Sequence, residues 1–91
     1  MPIGPHLASQ ASNLGKIFLK EDDSKIIEYA DDILLFLNRL QDFIKQHPKS
    51  TISIPSLKDI VYRLESEPEA ALHDKVIRTR LLNIFAKVAQ Y

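Results

Sequence analysis

Residues 24–46, SKIIEYADDILLFLNRLQDFIKQ, carry the longest uninterrupted helical pattern in the chain. The inner apolar positions recur three and four residues apart, as on one face of an α-helix: Ile26, Ala30, Ile33, Leu37, Leu40 and Ile44. Aromatic residues follow beside that stripe at steps of seven: Tyr29, Phe36 and Phe43. The apolar arc covers roughly half of the cylinder, so this helix needs neighbours on more than one side. The stretch therefore predicts the central helix of a small all-α bundle.

The remaining apolar patterns predict the neighbours of the central helix. Their expected ranges are 6–20, 55–65 and 68–89. His73 and Asp74 interrupt the last pattern near its start, which is compatible with one helix or with a separate turn at 70–73 followed by a helix that Asp74 caps. The inward residues of that last pattern are expected to be Leu72, Val76, Ile77, Leu81, Ile84, Phe85 and Val88. The sequence thus predicts a single domain over 6–91 with four helices, or five if the last is split, after a disordered lead-in at 1–5.

Capping signals and prolines predict where these helices begin and end. Pro48 disfavours helical geometry in the residue before it, so the central helix should end at Gln46 or His47. Residues 49–53 are expected to form a loop. The central helix is expected to start at a cap formed by Asp23 or Ser24. Ser56 with Asp59 is the expected capping box of the next helix, and Ser66 with Glu69 is that of the last, which also has Pro68 in its first turn.

The charges balance overall but are unevenly placed along the chain. Twelve Lys and Arg residues match twelve Asp and Glu residues, so no global field would draw the protein to nucleic acid or to an anionic membrane. Acidic residues crowd positions 21–32, whereas the last helix is basic. The candidate charged contacts are Asp31, Asp32, Lys75, Arg78 and Arg80. The acidic cluster indicates a solvated helix start, with a docking patch for a basic partner as the alternative.

The residue types needed for catalysis or cofactor binding do not occur in a recognised arrangement. The chain has no cysteine, which excludes disulfides and thiolate chemistry and fits a reducing compartment. Residues 29–32 spell YADD and resemble the metal-binding signature of reverse transcriptases, but here they lie inside a helical pattern. His6, His47 and His73 have no partner at a metal-ligand spacing. The sequence predicts a protein that is not an enzyme and uses no metal or cofactor.

Three apolar or aromatic residues are the candidates for binding a partner protein. Leu35 lies opposite the buried arc of the central helix, and Tyr62 and Tyr91 are the aromatics expected to be exposed. A homo-oligomer that buries Leu35 or Leu19 is also compatible with the pattern. No apolar run approaches the roughly 20 residues of a membrane span, and no secretory signal is apparent. A membrane protein is therefore not expected.

Residues 32–88 resemble the DDT domain, a small helical module of chromatin-remodelling subunits. The resemblance rests on apolar positions of the central helix, on residues 54–64 and on the run 77–82 with its paired Leu81 and Leu82. The matching positions of the central helix are Leu34, Phe36, Leu37, Leu40 and Phe43. The resemblance implies a nuclear module that docks a remodelling ATPase or another chromatin component.

Three functions are compatible with the sequence. We expect a non-catalytic protein-interaction module, intracellular and, if DDT-like, nuclear; otherwise it would be cytoplasmic. A small helical immunity or inhibitor protein, like those that protect bacteria from bacteriocins, would have the same size and pattern. A weak DNA-binding bundle using the basic last helix is the second alternative, because sequence-independent DNA affinity comes from phosphate contacts.

Overall fold

The computed structural model describes residues 5–49 and 54–91, with the backbone alone for Pro5. Within these ranges the regular structure is entirely helical: α1 (Pro5–Lys20), α2 (Asp23–Ile26), a 3-10 turn (Ile27–Tyr29), α3 (Ala30–Gln46), α4 (Leu57–Ser66), α5 (Pro68–His73) and α6 (Lys75–Ala89). The all-α prediction is confirmed. If the stretch from α2 to α3 is counted once, the described residues form five helices, as expected for a split last helix. Residues 1–4 of the predicted lead-in and residues 50–53 of the predicted loop lie outside the described residues, whereas Pro5 is the first residue of α1.

The core is built by the apolar stripes that the sequence pattern indicates. In α1 and α4 the buried residues recur three and four positions apart, and in α6 every expected inward residue except Val76 is buried. The buried residues of these three helices are Leu7, Ala11, Leu14, Phe18, Leu57, Ile60, Val61, Leu64, Ile77, Leu81, Ile84, Phe85 and Val88. No polar or charged residue among those described is buried, so helix association depends on apolar packing.

An aromatic cluster joins the first, central and last helices. Phe85 of α6 lies edge-on to Phe18 of α1, with ring centroids 5.2 Å apart, and to Phe36 of α3, at 5.6 Å. Both separations lie in the range where edge-to-face aromatic pairs are favourable. α1 makes its most extensive packing against α6, and α3 packs mainly against α4 and α1. The first and last helices therefore form one closely packed pair, with α3 against it.

The central helical stretch is interrupted, which corrects the prediction of one helix over residues 24–46. The backbone of Tyr29 has φ −97° and ψ 10°, outside the α-helical region, and the 3-10 turn separates α2 from α3 there. α5 packs against both α2 and this turn. The apolar pattern continues across the break, since Ile26 and Ile33 are both fully buried. The predicted end at Gln46 is confirmed.

The start of α4 differs from the capping box that was predicted. α4 begins at Leu57, and Ser56 has a positive φ of 68°, so its hydroxyl makes no capping hydrogen bond. A capping side chain acts from an extended backbone, which Ser56 does not have. At the next junction Ser66 is the last residue of α4, and Glu67 precedes α5 without a side-chain cap. Pro68 explains this position, because it excludes helical geometry from the residue before it and is itself favoured in the first turn.

The remaining differences concern one cap and one apolar residue. Asp22, rather than Asp23 or Ser24, precedes α2, and its side chain makes no capping hydrogen bond. Val76 is 59% exposed, so the prediction that it faces inward is wrong. Successive residues on a helix point about 100° apart, which places Val76 outside the buried arc that begins at Ile77. The predicted role of Asp74 is confirmed, since its carboxylate accepts from the backbone N–H groups of α6.

Candidate functional site

The three candidate partner-binding residues are all exposed, but they lie apart. Leu35 on α3 is 48% exposed, and Tyr62 on α4 is 68% exposed. Tyr91, which follows α6, is 36% exposed. Their predicted exposure is confirmed, while their role in binding stays a prediction. Leu35 lines a groove between α1 and α3, whereas Tyr62 and Tyr91 do not line it.

The α1/α3 groove is a small depression with apolar and polar residues on both helices. It has a volume of about 190 Å³ and is lined by Gln10, Asn13, Leu14, Ile17, Tyr29, Asp32 and Leu35. Leu14 is buried, and Ile17 and Tyr29 are half-buried. Pockets for cofactors and drug-sized molecules usually measure about 300 to 1,000 Å³. The groove is therefore smaller than the usual pocket for a cofactor.

Gln10 gives this groove an unsatisfied polar atom that sequence reasoning missed. Its side-chain Oε1 is buried and has no hydrogen-bond partner among the described residues. A buried acceptor without a partner costs on the order of 1–3 kcal/mol. The sequence offered only a weak signal, a glutamine next to the buried stripe of α1.

The acidic candidates lie at the start of α3. Asp31 and Asp32 are exposed in its first turn, where carboxylates favour the positive end of the helix dipole. Only Asp32 lines the α1/α3 groove. The YADD residues therefore occupy the 3-10 turn and the first turn of α3, in a helical context. Among the described residues no group of three or more acidic or histidine side chains is placed to hold a metal ion.

The basic candidates on α6 are divided between two sides of the helix. Arg78 forms an ion pair with Asp23, so the basic last helix is tied to the acidic stretch that starts α2. Lys75 and Arg80 are exposed. Residues two apart on a helix are about 200° apart, so Arg78 and Arg80 point to nearly opposite sides. The structure therefore does not gather these cations into one stripe.

Asp74 has a carboxyl group with a shifted pKa, and the contacts that cause the shift hold helices together. Arg63 Nη1 donates to Asp74 Oδ2 at 2.9 Å, and the backbone N–H groups of Val76 and Ile77 donate to Oδ1 at 2.8 and 3.4 Å. These contacts, the Arg63 hydrogen bond first, lower the pKa of Asp74 below its ordinary value. The group is therefore held as an anion that caps α6 and links it to α4.

The comparisons with known proteins leave function to be argued from these surfaces. No family model, curated protein or solved structure matches the chain. In residues 5–49 and 54–91, no helix combines the length and the apolar character that crossing a membrane requires. The α1/α3 groove is the place where the structure joins a predicted binding residue, Leu35, to further apolar and polar groups.

Proposed function

We propose that this protein is a non-catalytic interaction module that binds a partner protein through the α1/α3 groove. The observation that carries the proposal is Leu35, a large apolar side chain 48% exposed at a groove that also contains Ile17 and Tyr29. A single exposed leucine is ordinary on a protein surface. An exposed leucine that continues into a half-buried apolar groove is more typical of a binding site.

The composition of the groove indicates how a partner would be held. Leu35, Ile17 and Tyr29 supply apolar contacts, while Asn13 and Asp32 supply polar groups at the same depression. An apolar centre with a polar rim is the usual anatomy of a protein interface. We expect one apolar side chain of the partner to enter the groove beside Leu35.

A narrower form of this proposal is a DDT-like chromatin-associated docking domain in the nucleus. Of the positions that carry the resemblance, Phe36, Leu37, Leu40 and Leu81 are buried. Leu34, Phe43 and Leu82 are half-buried and pack against the core. In a DDT-like domain these residues would form the helical framework. Partner choice would then depend on surface residues such as Leu35.

The test is affinity capture from an extract of the native source, followed by mass spectrometry, with two single variants. Leu35→Glu places a charge at the groove, and Asn38→Glu makes the same change at another exposed position of α3 outside it. Both variants should retain the helical circular dichroism spectrum. The expected result is a set of proteins captured by the wild type and Asn38→Glu but lost with Leu35→Glu.

The identity of the captured proteins separates the forms of the proposal. A remodelling ATPase or a histone-associated protein would support the chromatin role. Proteins captured equally by Leu35→Glu and the wild type would refute the α1/α3 groove as the binding site. Recovery of only the protein itself would refute binding of a different partner and would indicate self-association instead.

A further inference from the structure

A second groove lies on the other flank of α1, between α1 and α6. It has a volume of about 450 Å³. Small residues and two leucines line most of it: Ala11, Gly15, Leu19, Leu82, Ala86 and Ala89. Small side chains let another helix approach closely, and leucines at the edge provide the apolar area for packing.

Leu19 makes this α1/α6 groove an unusual surface. It is 79% exposed, the highest value among the exposed large hydrophobic residues of the described chain. Leu82, on the facing helix, is half-buried and lines the same groove. The exposed leucine is therefore part of a continuous apolar surface shared by two helices, where a partner's apolar stripe can cover it.

The charge of the two helices indicates what chemistry the partner has. α1 contains two lysines, α6 contains two lysines and two arginines, and neither contains Asp or Glu. Lys16 lines the groove, and Lys20 is exposed one turn further along α1. Among the cations of α6, Arg78 is paired with Asp23, and Arg80 and Lys87 line a different depression. Of the residues that the structure describes, Lys16 is therefore the one charged residue that lines the α1/α6 groove, and no carboxylate lines it. A second copy packed in the same groove would bring the Lys16 and Lys20 side chains of two chains together, which like-charge repulsion disfavours.

We infer that the α1/α6 groove binds an acidic amphipathic helix of a partner protein. The apolar stripe of that helix covers Leu19 and Leu82, and its Asp or Glu residues lie beside Lys16 and Lys20. This inference rests on the proposed protein-binding function but uses a different groove. An experiment can therefore refute binding at one groove without refuting binding at the other.

The probe is a displayed library of helical peptides of about five turns, a length at which isolated helices become stable in water. The peptides carry a fixed Leu and Ala stripe at helical spacing, with flanking positions free to be Glu, Lys or Gln. The library is selected on the wild-type protein and, in parallel, on Leu19→Glu. Asn38→Glu, a substitution on α3 outside the groove, serves as the matched control.

The expected outcome is enrichment of Glu over Lys on the peptide flanks, on the wild type and Asn38→Glu alike. Leu19→Glu should weaken binding of the selected peptides by about tenfold or more, because it places a charge in the apolar contact. Lys16→Glu should weaken binding by a few fold, and added salt should reduce that difference. Amide shifts in nuclear magnetic resonance spectra should concentrate on α1 and α6.

Other outcomes overturn the inference. Equal selection on Leu19→Glu and the wild type would show that the α1/α6 groove is not the site, and enrichment of Lys would reverse the assigned charge. Selected peptides lost with Leu35→Glu rather than Leu19→Glu would assign binding to the α1/α3 groove and leave the proposed function standing. If sedimentation equilibrium shows a dimer and Leu19→Glu dissociates it, the groove binds a second copy of this chain instead.

Discussion

Gly15→Ala should stabilise the protein even though Gly15 lies where the two most closely packed helices meet. A methyl group built on Gly15 would lie 3.6 Å from Cβ of Phe85, an ordinary van der Waals separation. The backbone at Gly15 has no positive φ, so no left-handed conformation requires glycine there. Glycine inside a helix costs about 1 kcal/mol relative to alanine. We therefore expect the free energy of unfolding to rise by about 1 kcal/mol.

The measurement is urea unfolding followed by far-UV circular dichroism. With a slope of about 1–3 kcal/mol per molar urea, the midpoint should rise by roughly 0.3 to 1 M. The melting temperature should rise by about 4–8 °C, the usual shift for a domain of this size. Ser9→Ala, at an exposed position of α1, is the matched control, because it changes helix propensity without adding a contact with α6.

Comparison with this control separates propensity from packing. Ser9→Ala should give about half the gain of Gly15→Ala, because serine is a better helix former than glycine. A loss of stability in Gly15→Ala would refute the reasoning. It would mean that α1 and α6 approach too closely for a methyl group and that Gly15 is needed for their packing.

Three further changes test other parts of the structure. Phe85→Ala removes the ring shared by the aromatic cluster and should cost about 3–5 kcal/mol in urea unfolding; a loss below about 1 kcal/mol would contradict the central place given to that ring. Ser56→Gly should raise stability by up to about 1 kcal/mol in the same assay, because glycine accepts the positive φ without strain, and a decrease would argue against that backbone geometry. Asp74→Asn should lower the free energy of unfolding at neutral pH. The pKa of the Asp74 carboxyl is lower in the folded than in the unfolded protein. The stabilisation from its anion is therefore present at pH values above 3.8, its ordinary pKa, and is lost as the pH falls through the lowered pKa. The stability difference from wild type in urea titrations should thus shrink at acidic pH, and a pH-independent difference would exclude the ionic contribution.

Features encoded by neighbouring residues could be predicted from the sequence. The split of the last helix follows from Asp74, whose carboxylate lies two and three residues before the N–H groups it accepts from. The buried stripes of α1 and α4 follow from apolar spacing alone. Such features depend on helix geometry, which is the same in any fold.

Capping could be predicted less well, because several local arrangements compete at each junction. Ser56 and Ser66 both precede an acidic residue at the spacing of a capping box, yet neither caps a helix. At Ser56 the backbone is left-handed, and at Ser66 the effect of Pro68 on Glu67 moves the junction one residue onward. A capping signature in the sequence indicates which side chain could cap a helix. Whether that side chain caps it depends on the backbone conformation at the junction.

The candidate sites could be predicted only in part, since they depend on which helices pack together. Exposure of Leu35 followed from its place opposite the buried arc, but the α1/α3 groove beside it requires the position of α1. The ion pair of Asp23 with Arg78 joins residues far apart in the chain, which no local pattern indicates. For the same reason Gln10 and the α1/α6 groove emerged only from the structure.

The packing of α1 against α6 also determines when the protein can complete its fold during synthesis. α1 leaves the ribosome first among the described helices, yet Phe85, which contacts Phe18 and lies beside Gly15, is made near the end of the described chain. Until α6 emerges, the apolar stripe of α1 lacks its main partner and is open to chaperones or to other nascent chains. A chain whose synthesis stopped within α6 would contain helical segments, but the apolar stripe of α1 would stay uncovered. Quality control of this protein therefore depends on its last helix.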